Sequence, residues 1–85
     1  MNRRCIDLLK KARNNPAGVR FSELQSLCKC VGMRHDRTRG SHFIYKRNNP
    51  SFILSIQKMP DGKAKPYQVK QLLDFIEEYN LGKEE

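Results

Sequence analysis

Residues 34–47 read RHDRTRGSHFIYKR, and this stretch sets five lysines and arginines and two histidines against a single acid. Its second half, HFIYKR, mixes aromatic, β-branched and basic residues, which is typical of a half-exposed strand. Gly40 and Ser41, just before it, favour a tight turn. The stretch therefore predicts a β-hairpin, with an edge strand over 33–38 and a second strand over 42–46.

The middle strand divides its side chains between two faces. With a period of two residues, Phe43 and Tyr45 share one side, while His42, Ile44 and Lys46 share the other. The aromatic side is the better candidate for the core. We therefore expect His42 and Lys46 to lie on a solvent-exposed face, together with arginines from the neighbouring strand.

A third strand follows the turn signal Asn48-Asn49-Pro50. Residues 52–57 alternate between apolar and mixed positions, which is the pattern of a strand with one buried face. The side chains that we expect to face the core are Phe52, Leu54 and Ile56. Those that we expect to face outward are Ile53, Ser55 and Gln57.

Three amphipathic helices complete the predicted elements. Residues 2–13 repeat apolar side chains at helical spacing, and 14–18 break that helix at Pro16. A second helix over 22–31 takes Ser22 as its N-cap, with Gln25 completing a capping box. The apolar positions of these two helices are Cys5, Leu8, Leu9 and Ala12 in the first, and Leu24, Leu27, Cys28 and Val31 in the second.

The last helix begins with Pro66, which suits a first helical turn, and ends at Asn80 and Gly82. Its predicted apolar stripe consists of Val69, Leu72, Leu73, Ile76 and Tyr79. The order predicts an α+β fold, α-β-β-β-α with an extra N-terminal helix. A three-stranded antiparallel sheet carries helices on one face, as in double-stranded-RNA-binding domains. We expect one domain over 1–85, with 1–20 as an accessory helix and loop and 21–82 as the core.

The net charge of +8 is concentrated in the first part of the chain. Residues 1–50 hold 12 Lys/Arg against 3 Asp/Glu, whereas the remainder holds 5 against 6. Such a concentration attracts polyanions, with nucleic acid first, acidic proteins second and membrane surfaces last. The chain shows no apolar run long enough to span a membrane and no signal-peptide pattern, so we expect a cytoplasmic protein without a membrane partner.

The three cysteines, Cys5, Cys28 and Cys30, are an odd number without an export signal, so we expect them to be reduced. A zinc site made by Cys28, Cys30, His35 and His42 has the right ligand count. A Cys-x-Cys pair on a helix, however, points its thiols to nearly opposite sides. We therefore predict no metal and no cofactor.

His42 is the candidate for proton transfer. A short flexible lead-in, Gly40-Ser41, lets a polynucleotide backbone approach, and the strand ladder fixes the imidazole. We expect Arg37, Arg39 and Lys46 to contact phosphate. His35 is expected to be solvated or to touch phosphate.

Two alternative roles are considered for the remaining basic residues and for the aromatic residues. Lys63 and Lys65 precede the last helix, where they either hold a phosphate or carboxylate or form a solvated loop. The aromatic residues are expected to fill the core rather than to stack bases, because they do not interleave with lysines. These aromatic residues are Phe43, Tyr45, Phe52 and Tyr67.

The chain resembles the HicA toxins, small RNA-cleaving proteins of prokaryotic toxin-antitoxin pairs. The resemblance runs from Phe21 to Leu81. It is carried by Ser22-Glu23-Leu24, Gly32, Gly40-Ser41-His42, Tyr45 and the stretch GKAKPYQVK at 62–70. It implies a fold of the double-stranded-RNA-binding type, ribosome-independent cleavage of mRNA, His42 as the catalytic histidine and a cognate HicB-like antitoxin that covers the site.

The chain departs from that family at two places. Residues 1–20 add a helix that the shortest relatives lack, and Phe43 stands where many relatives place a second histidine. A mechanism with two imidazoles would therefore need His35 to reach across. Two other functions stay open at this stage, a non-catalytic RNA-binding module of the same fold and a basic face that docks an acidic protein.

Overall fold

The computed structural model describes residues 1–82 and has the predicted α+β layout. An N-terminal helix and a second helix precede three strands, and a last helix follows them. The elements are α1 (Arg3–Asn14), a 3₁₀ turn (Pro16–Gly18), α2 (Phe21–Cys30), β1 (Arg34–Arg39), β2 (His42–Arg47), β3 (Phe52–Ile56) and α3 (Pro66–Glu78). The predicted bounds of all six main elements are confirmed to within one or two residues.

The sheet has the strand order β1-β2-β3, and both pairs are antiparallel. Arg39 pairs with His42 across a two-residue loop formed by Gly40 and Ser41. Gly40 has a φ of +59°, a conformation that glycine adopts without the steric cost other residues meet. A bulge between His35 and Arg37 interrupts the register of β1. The predicted hairpin is therefore present.

The helices cover one side of the sheet, which we call the inner face. Its side chains include Tyr45 and Leu54, at 2% and 3% exposure, and the fully buried Ile56. Each such side chain contributes roughly 1.5–3 kcal/mol by leaving water. The expectation that Phe52, Leu54 and Ile56 face the core is confirmed, although Phe52 is only partly buried. The other side of the sheet, which we call the outer face, carries no helix from residues 1–82.

Helix α1 contributes Leu8, Leu9 and Ala12 to the same buried cluster. It is also bonded to the end of α2, because Cys5 and Cys30 form a disulfide with their Cα atoms 5.7 Å apart. The prediction that these two cysteines are reduced is therefore wrong. The pairing depends on how α1 lies along α2, and neither helix alone reveals that arrangement.

Cys28 is a free, fully buried thiol. Burial raises its pKa to about 12, because the thiolate would be stripped of water there. Since Cys30 is bonded to Cys5, the alternative zinc site built on Cys28 and Cys30 cannot form. No cluster of three metal-ligating side chains occurs within residues 1–82.

Helix α2 begins one residue earlier than predicted. Its N-cap is Arg20, and the prediction of Ser22 in that role is wrong. The Glu23 carboxylate accepts the backbone N–H of Arg20 at 2.9 Å, and it also accepts Lys11 Nζ of α1 at 2.8 Å. Partial burial opposes the charged form, yet these bonds lower the pKa of Glu23 below its ordinary value. The acid at the third helical position thus supplies the capping hydrogen bond that was expected from Ser22 and Gln25.

Helix α3 starts at Pro66 as predicted, but its buried stripe differs from the expected one. Phe75 and Gln68 are buried, whereas Tyr67 and Tyr79 are 56% and 46% exposed. The prediction that Tyr67 fills the core is wrong, and Tyr79 is not buried with the rest of the predicted stripe. Residues 68, 69, 72, 75 and 76 form one continuous helical face, and Tyr67 lies outside it. Tyr79 is in line with that face, but it is the C-cap residue just past the last helical position. Within residues 1–82, no helix combines the length and the apolar character that crossing a membrane requires.

Candidate active site

The outer face of the sheet holds the cationic part of the predicted site. Residues that pair across antiparallel strands project to the same side. By this register β1 and β2 place Arg39 opposite His42, and β2 and β3 place Ser55 opposite Ile44. The outer-face side chains of the three strands are Arg34, Arg37, Arg39, His42, Ile44, Lys46, Ile53 and Ser55.

His42 is exposed at the first position of β2. Its ring Nδ1 lies 3.1 Å from the hydroxyl oxygen of Ser55 on β3. Among residues 1–82 no side chain bonds to the other ring nitrogen, Nε2. The imidazole is therefore oriented by one hydrogen bond while Nε2 stays available to a ligand in solvent.

Ser55 received no role from the sequence, although its outward direction was predicted correctly. Its place beside His42 depends on the register of β3 against β2, because the contact runs diagonally across the strand pair. The alternation of apolar residues gives the face of a side chain but not its neighbour on the next strand. Only the paired strands reveal this contact.

The predicted phosphate ligands divide into two groups. Arg39, Gly40 and Ser41 lie next to His42 in the hairpin. Lys46 is four residues further along β2, on the order of 13 Å from His42 at the usual strand rise. The structure thus brings only the first group to the imidazole.

Arg37 and Lys46 gather instead around Asp36, the residue in the bulge of β1. Arg37 Nη1 lies 2.6 Å and Lys46 Nζ 3.4 Å from the same carboxylate oxygen. The hydrogen bond from Arg37, joined by Lys46, holds the pKa of Asp36 below its ordinary value. Asp36 therefore stays ionised at neutral pH and offsets part of the positive charge at this end of the face.

A chain of side-chain hydrogen bonds links the hairpin to α3. Gln57 Nε2 donates to the Ser41 hydroxyl at 3.4 Å, and Gln68 Nε2 donates to Gln57 Oε1 at 3.3 Å. Gln68 Nε2 also donates to the Tyr67 hydroxyl at 3.2 Å, and its Oε1 accepts the backbone N–H of Gln57 at 2.8 Å. We call this chain the glutamine bridge. It fixes the start of α3 at the same end of the sheet as His42.

The predicted basic pair before α3 flanks that end on the helix side. Lys63 forms a short antiparallel bridge with Arg20 at the start of α2, and its backbone N–H is accepted by Asp61 at 2.9 Å. Lys65 is the N-cap residue of α3. Both lysines are half-buried. Lys65 adjoins the glutamine bridge through the start of α3, and neither lysine belongs to a strand of the outer face.

His35 does not join His42. It pairs with Tyr45 across the sheet, and its ring lies 5.4 Å from the Tyr45 ring on the inner side. Its Nε2 bonds to the Thr38 hydroxyl at 2.9 Å. The two histidines of the chain thus project to opposite faces, and the outer face holds a single imidazole.

Arg47, the last residue of the opening stretch, has a structural role. Its guanidinium donates to backbone carbonyls of Val31 and Pro50 and lies over the ring of Phe75 at 5.6 Å. It also donates to the carbonyls of Asn48 and Asn49. The planar guanidinium can donate to several carbonyls at once while its face stacks on an aromatic ring. This cation therefore holds the turn after β2 against the end of α2.

Comparisons with protein-family models, with curated proteins and with solved structures find no match to this chain.

Proposed function

We propose that this protein is an endoribonuclease of the mRNA-cleaving toxin class, with His42 as its general acid and base. The observation that carries the proposal is the exposed His42 imidazole, oriented by Ser55 within a cationic sheet face. The resemblance of Gly40-Ser41-His42 and its surroundings to the HicA toxins supports the same activity. RNA supplies its own nucleophile in the 2′-hydroxyl, so the protein has only to move protons and stabilise charge.

In the proposed reaction, Nε2 of His42 removes the proton from the 2′-hydroxyl. The 2′-oxygen then forms a bond to the adjacent phosphorus, and the bond from phosphorus to the 5′-oxygen breaks. The imidazolium returns its proton to that leaving oxygen. The products are a 2′,3′-cyclic phosphate and a free 5′-hydroxyl, and this proton transfer contributes roughly 10²- to 10⁴-fold in rate.

Ser55 suits both halves of that cycle. When the Nδ1 proton of His42 is donated to the Ser55 hydroxyl, Nε2 carries a lone pair and acts as a base. After Nε2 has taken a proton, Nδ1 still donates to the same oxygen. The bond thus needs no rearrangement between the basic and acidic forms, which keeps the ring in one orientation.

Positive charge beside His42 supports the transition state. Arg39 lies directly across the strand pair, and its guanidinium is a two-pronged donor that matches phosphate oxygens. The backbone of Gly40 leaves room for a close approach, since a Cβ built there would meet nothing within 4 Å. We assign Arg39, Gly40 and Ser41 to the scissile phosphate, and Arg37 and Lys46 to a more distant phosphate of the same strand.

The test is a comparison of the two histidines. His42→Gln should lower the cleavage rate at least 100-fold while leaving the thermal melt unchanged, because the side chain is exposed. His35→Gln is the matched control and should keep its rate. The wild-type product should end in a 2′,3′-cyclic phosphate, and an RNA with 2′-deoxy positions should resist cleavage there. Full activity of His42→Gln would end the proposal.

A second candidate is an RNA-binding module of the same fold without catalysis. It is favoured by the single imidazole of an open face, where a second proton-transfer group is missing among residues 1–82. This function predicts binding that weakens steeply with salt but yields no cleavage products. The end analysis above separates the two candidates.

The proposed partner is a HicB-like antitoxin that covers the outer face. Ile53 is 61% exposed there, among arginines and a lysine. A surface with apolar side chains and a basic rim fits an acidic protein segment that also carries apolar residues. The cytoplasm, where mRNA is found, is the compartment that we propose for both proteins. In that reducing compartment the Cys5–Cys30 pair would be held as two thiols, and the disulfide would form only under oxidising conditions.

A further inference from the structure

Tyr67 is exposed, yet its hydroxyl is held in place. Its side chain is 56% accessible at the start of α3, while its hydroxyl accepts Gln68 Nε2 at 3.2 Å. Gln68 is itself only 3% exposed and is fixed by its bonds to Gln57. An exposed tyrosine usually samples several rotamers, whereas this hydroxyl is tied to a buried amide. The ring is thus presented to solvent in a defined position.

The glutamine bridge also sets the distance from Tyr67 to the proposed catalytic turn. Gln57 reaches the Ser41 hydroxyl, and Ser41 directly precedes His42. The successive bonds keep the Tyr67 hydroxyl within about 12 Å of the Ser41 hydroxyl, given ordinary amide dimensions. A nucleotide that neighbours the scissile phosphate can span that separation.

The charges around Tyr67 are positive. Lys65 comes two residues before it, and Lys70 lies three residues after it, on the same side of the helix. An aromatic ring flanked by cations is the arrangement that proteins use to stack a base and hold its phosphates. Lysines therefore alternate with an aromatic residue here, which is the pattern that the sequence around Phe43 and Tyr45 lacks.

Tyr79, the exposed tyrosine that caps the C-terminal end of α3, has the opposite environment. Its ring packs 5.1 Å from that of Phe75, and its hydrogen bond to the Glu78 carboxylate raises the pKa of Tyr79. Asp74 and Glu78 lie on the same turns of the helix. A polyanion is repelled at this end of α3, so Tyr79 serves as a control for exposed aromatic area.

We propose that Tyr67 is a stacking platform for an unpaired nucleobase beside the scissile phosphate, which makes single-stranded RNA the substrate. The inference rests on the proposed function, because it places the base relative to His42. In a duplex both faces of each base are already stacked, so a duplex cannot use this ring.

The experiment measures binding of a short 2′-O-methyl oligonucleotide, which lacks the attacking hydroxyl and cannot be cleaved. The chain has three tyrosines and no tryptophan, so its emission reports tyrosine alone. Stacking on Tyr67 should quench part of that emission. The variants are Tyr67→Leu and Tyr67→Phe, with Tyr79→Leu as the matched control, and each is first checked for an unchanged thermal melt.

Tyr67→Leu should weaken single-strand binding roughly 5- to 100-fold and abolish the quench. Tyr67→Phe should bind within about twofold of wild type, because the ring remains. Tyr79→Leu should bind and quench like wild type. The annealed duplex should bind equally well to wild type and to Tyr67→Leu.

Unchanged single-strand binding by Tyr67→Leu would overturn the inference. This holds even if the same substitution weakened binding of a protein partner, because Tyr67 would then serve a protein interface. An equal loss for single strand and duplex would overturn it as well. If Tyr67 governs binding as expected but unmodified RNA is never cut, the nuclease proposal fails while the stacking site stands. The two failures are therefore distinguishable.

Discussion

Ser55→Ala removes the hydroxyl that orients the His42 ring and leaves the rest of the outer face intact. The bond has an ordinary length of 3.1 Å, and His42 is exposed, so water competes for it. A net contribution of about 0.5–1 kcal/mol is therefore expected, in the lower part of the range for such bonds. If the bond matters only for catalysis, kcat should fall roughly two- to fivefold with little change in KM.

The assay is a double-mutant cycle on RNA cleavage. Ser55→Ala is compared with wild type, and the same change is repeated in the His42→Gln background, where no imidazole remains to be oriented. Ser55→Thr keeps a hydroxyl and suits a strand, so it should restore the rate. Nitrogen-15 shifts of the His42 ring should show a mixed tautomer population in Ser55→Ala and a single one in wild type.

The cycle can refute this reasoning in two ways. If Ser55→Ala lowers residual activity equally in both backgrounds, Ser55 acts on the substrate rather than through His42. If the tautomer population is the same with and without the hydroxyl, the bond does not orient the ring. In either case Ser55 loses its assigned role.

Three further predictions concern the scaffold. Arg47→Met should lower the free energy of unfolding by about 3 kcal/mol, because backbone carbonyls lose a charged donor; urea unfolding measures this, and a loss below about 1 kcal/mol would contradict it. Reducing the Cys5–Cys30 disulfide should cost about 3.5 kcal/mol by the chain-entropy account for a separation of 25 residues. Cys5→Ser should show the same loss without reductant, and an unchanged urea midpoint would argue against it. The pKa of Glu23 is lower in the folded chain than its ordinary value of 4.5. The ionised carboxylate therefore stabilises the fold fully above pH 4.5, and this stabilisation is lost as the pH falls through the pKa of the folded state. The urea midpoints of wild type and Glu23→Gln should converge on acidification, and a constant difference between the two midpoints would refute this.

The sheet could be predicted from the sequence because its signals are local. The turn residues Gly40-Ser41 and Asn48-Asn49-Pro50 mark both hairpins, and the period of two assigns the faces of β2 and β3. This assignment is reliable because a register shift of one residue would turn the buried side chains of a strand to solvent and its exposed side chains to the core. The exposure of His42 follows from the same rule.

The errors arose where a result depends on packing between distant elements. The Cys5–Cys30 bond requires α1 to lie along α2, and the N-cap of α2 was decided by Glu23 and Lys11 rather than by Ser22. A hydroxyl is a common cap, but a carboxylate fixed by a lysine from another helix competes well with it. Periodicity within one helix contains neither fact.

The candidate site was only half predictable for a related reason. His42 and Arg39 are neighbours through a local turn, so their proximity can be read from the sequence. The roles of Ser55 and Tyr67 depend on strand register and on the buried amide of Gln68. Gln68 carries no sequence signal, because a polar residue at the edge of a helical stripe usually marks the solvent side.

The uncovered outer face has a kinetic consequence for the proposed enzyme. His42 is exposed at the start of β2, and no segment of the described chain, residues 1–82, covers it, so a cleaved strand can leave without a conformational opening. Turnover would then be paced by bond cleavage and not by a conformational gate, and thickening the medium with sucrose would leave kcat untouched. An inhibitor of such an enzyme needs only to cover the sheet surface and does not have to fill a pocket.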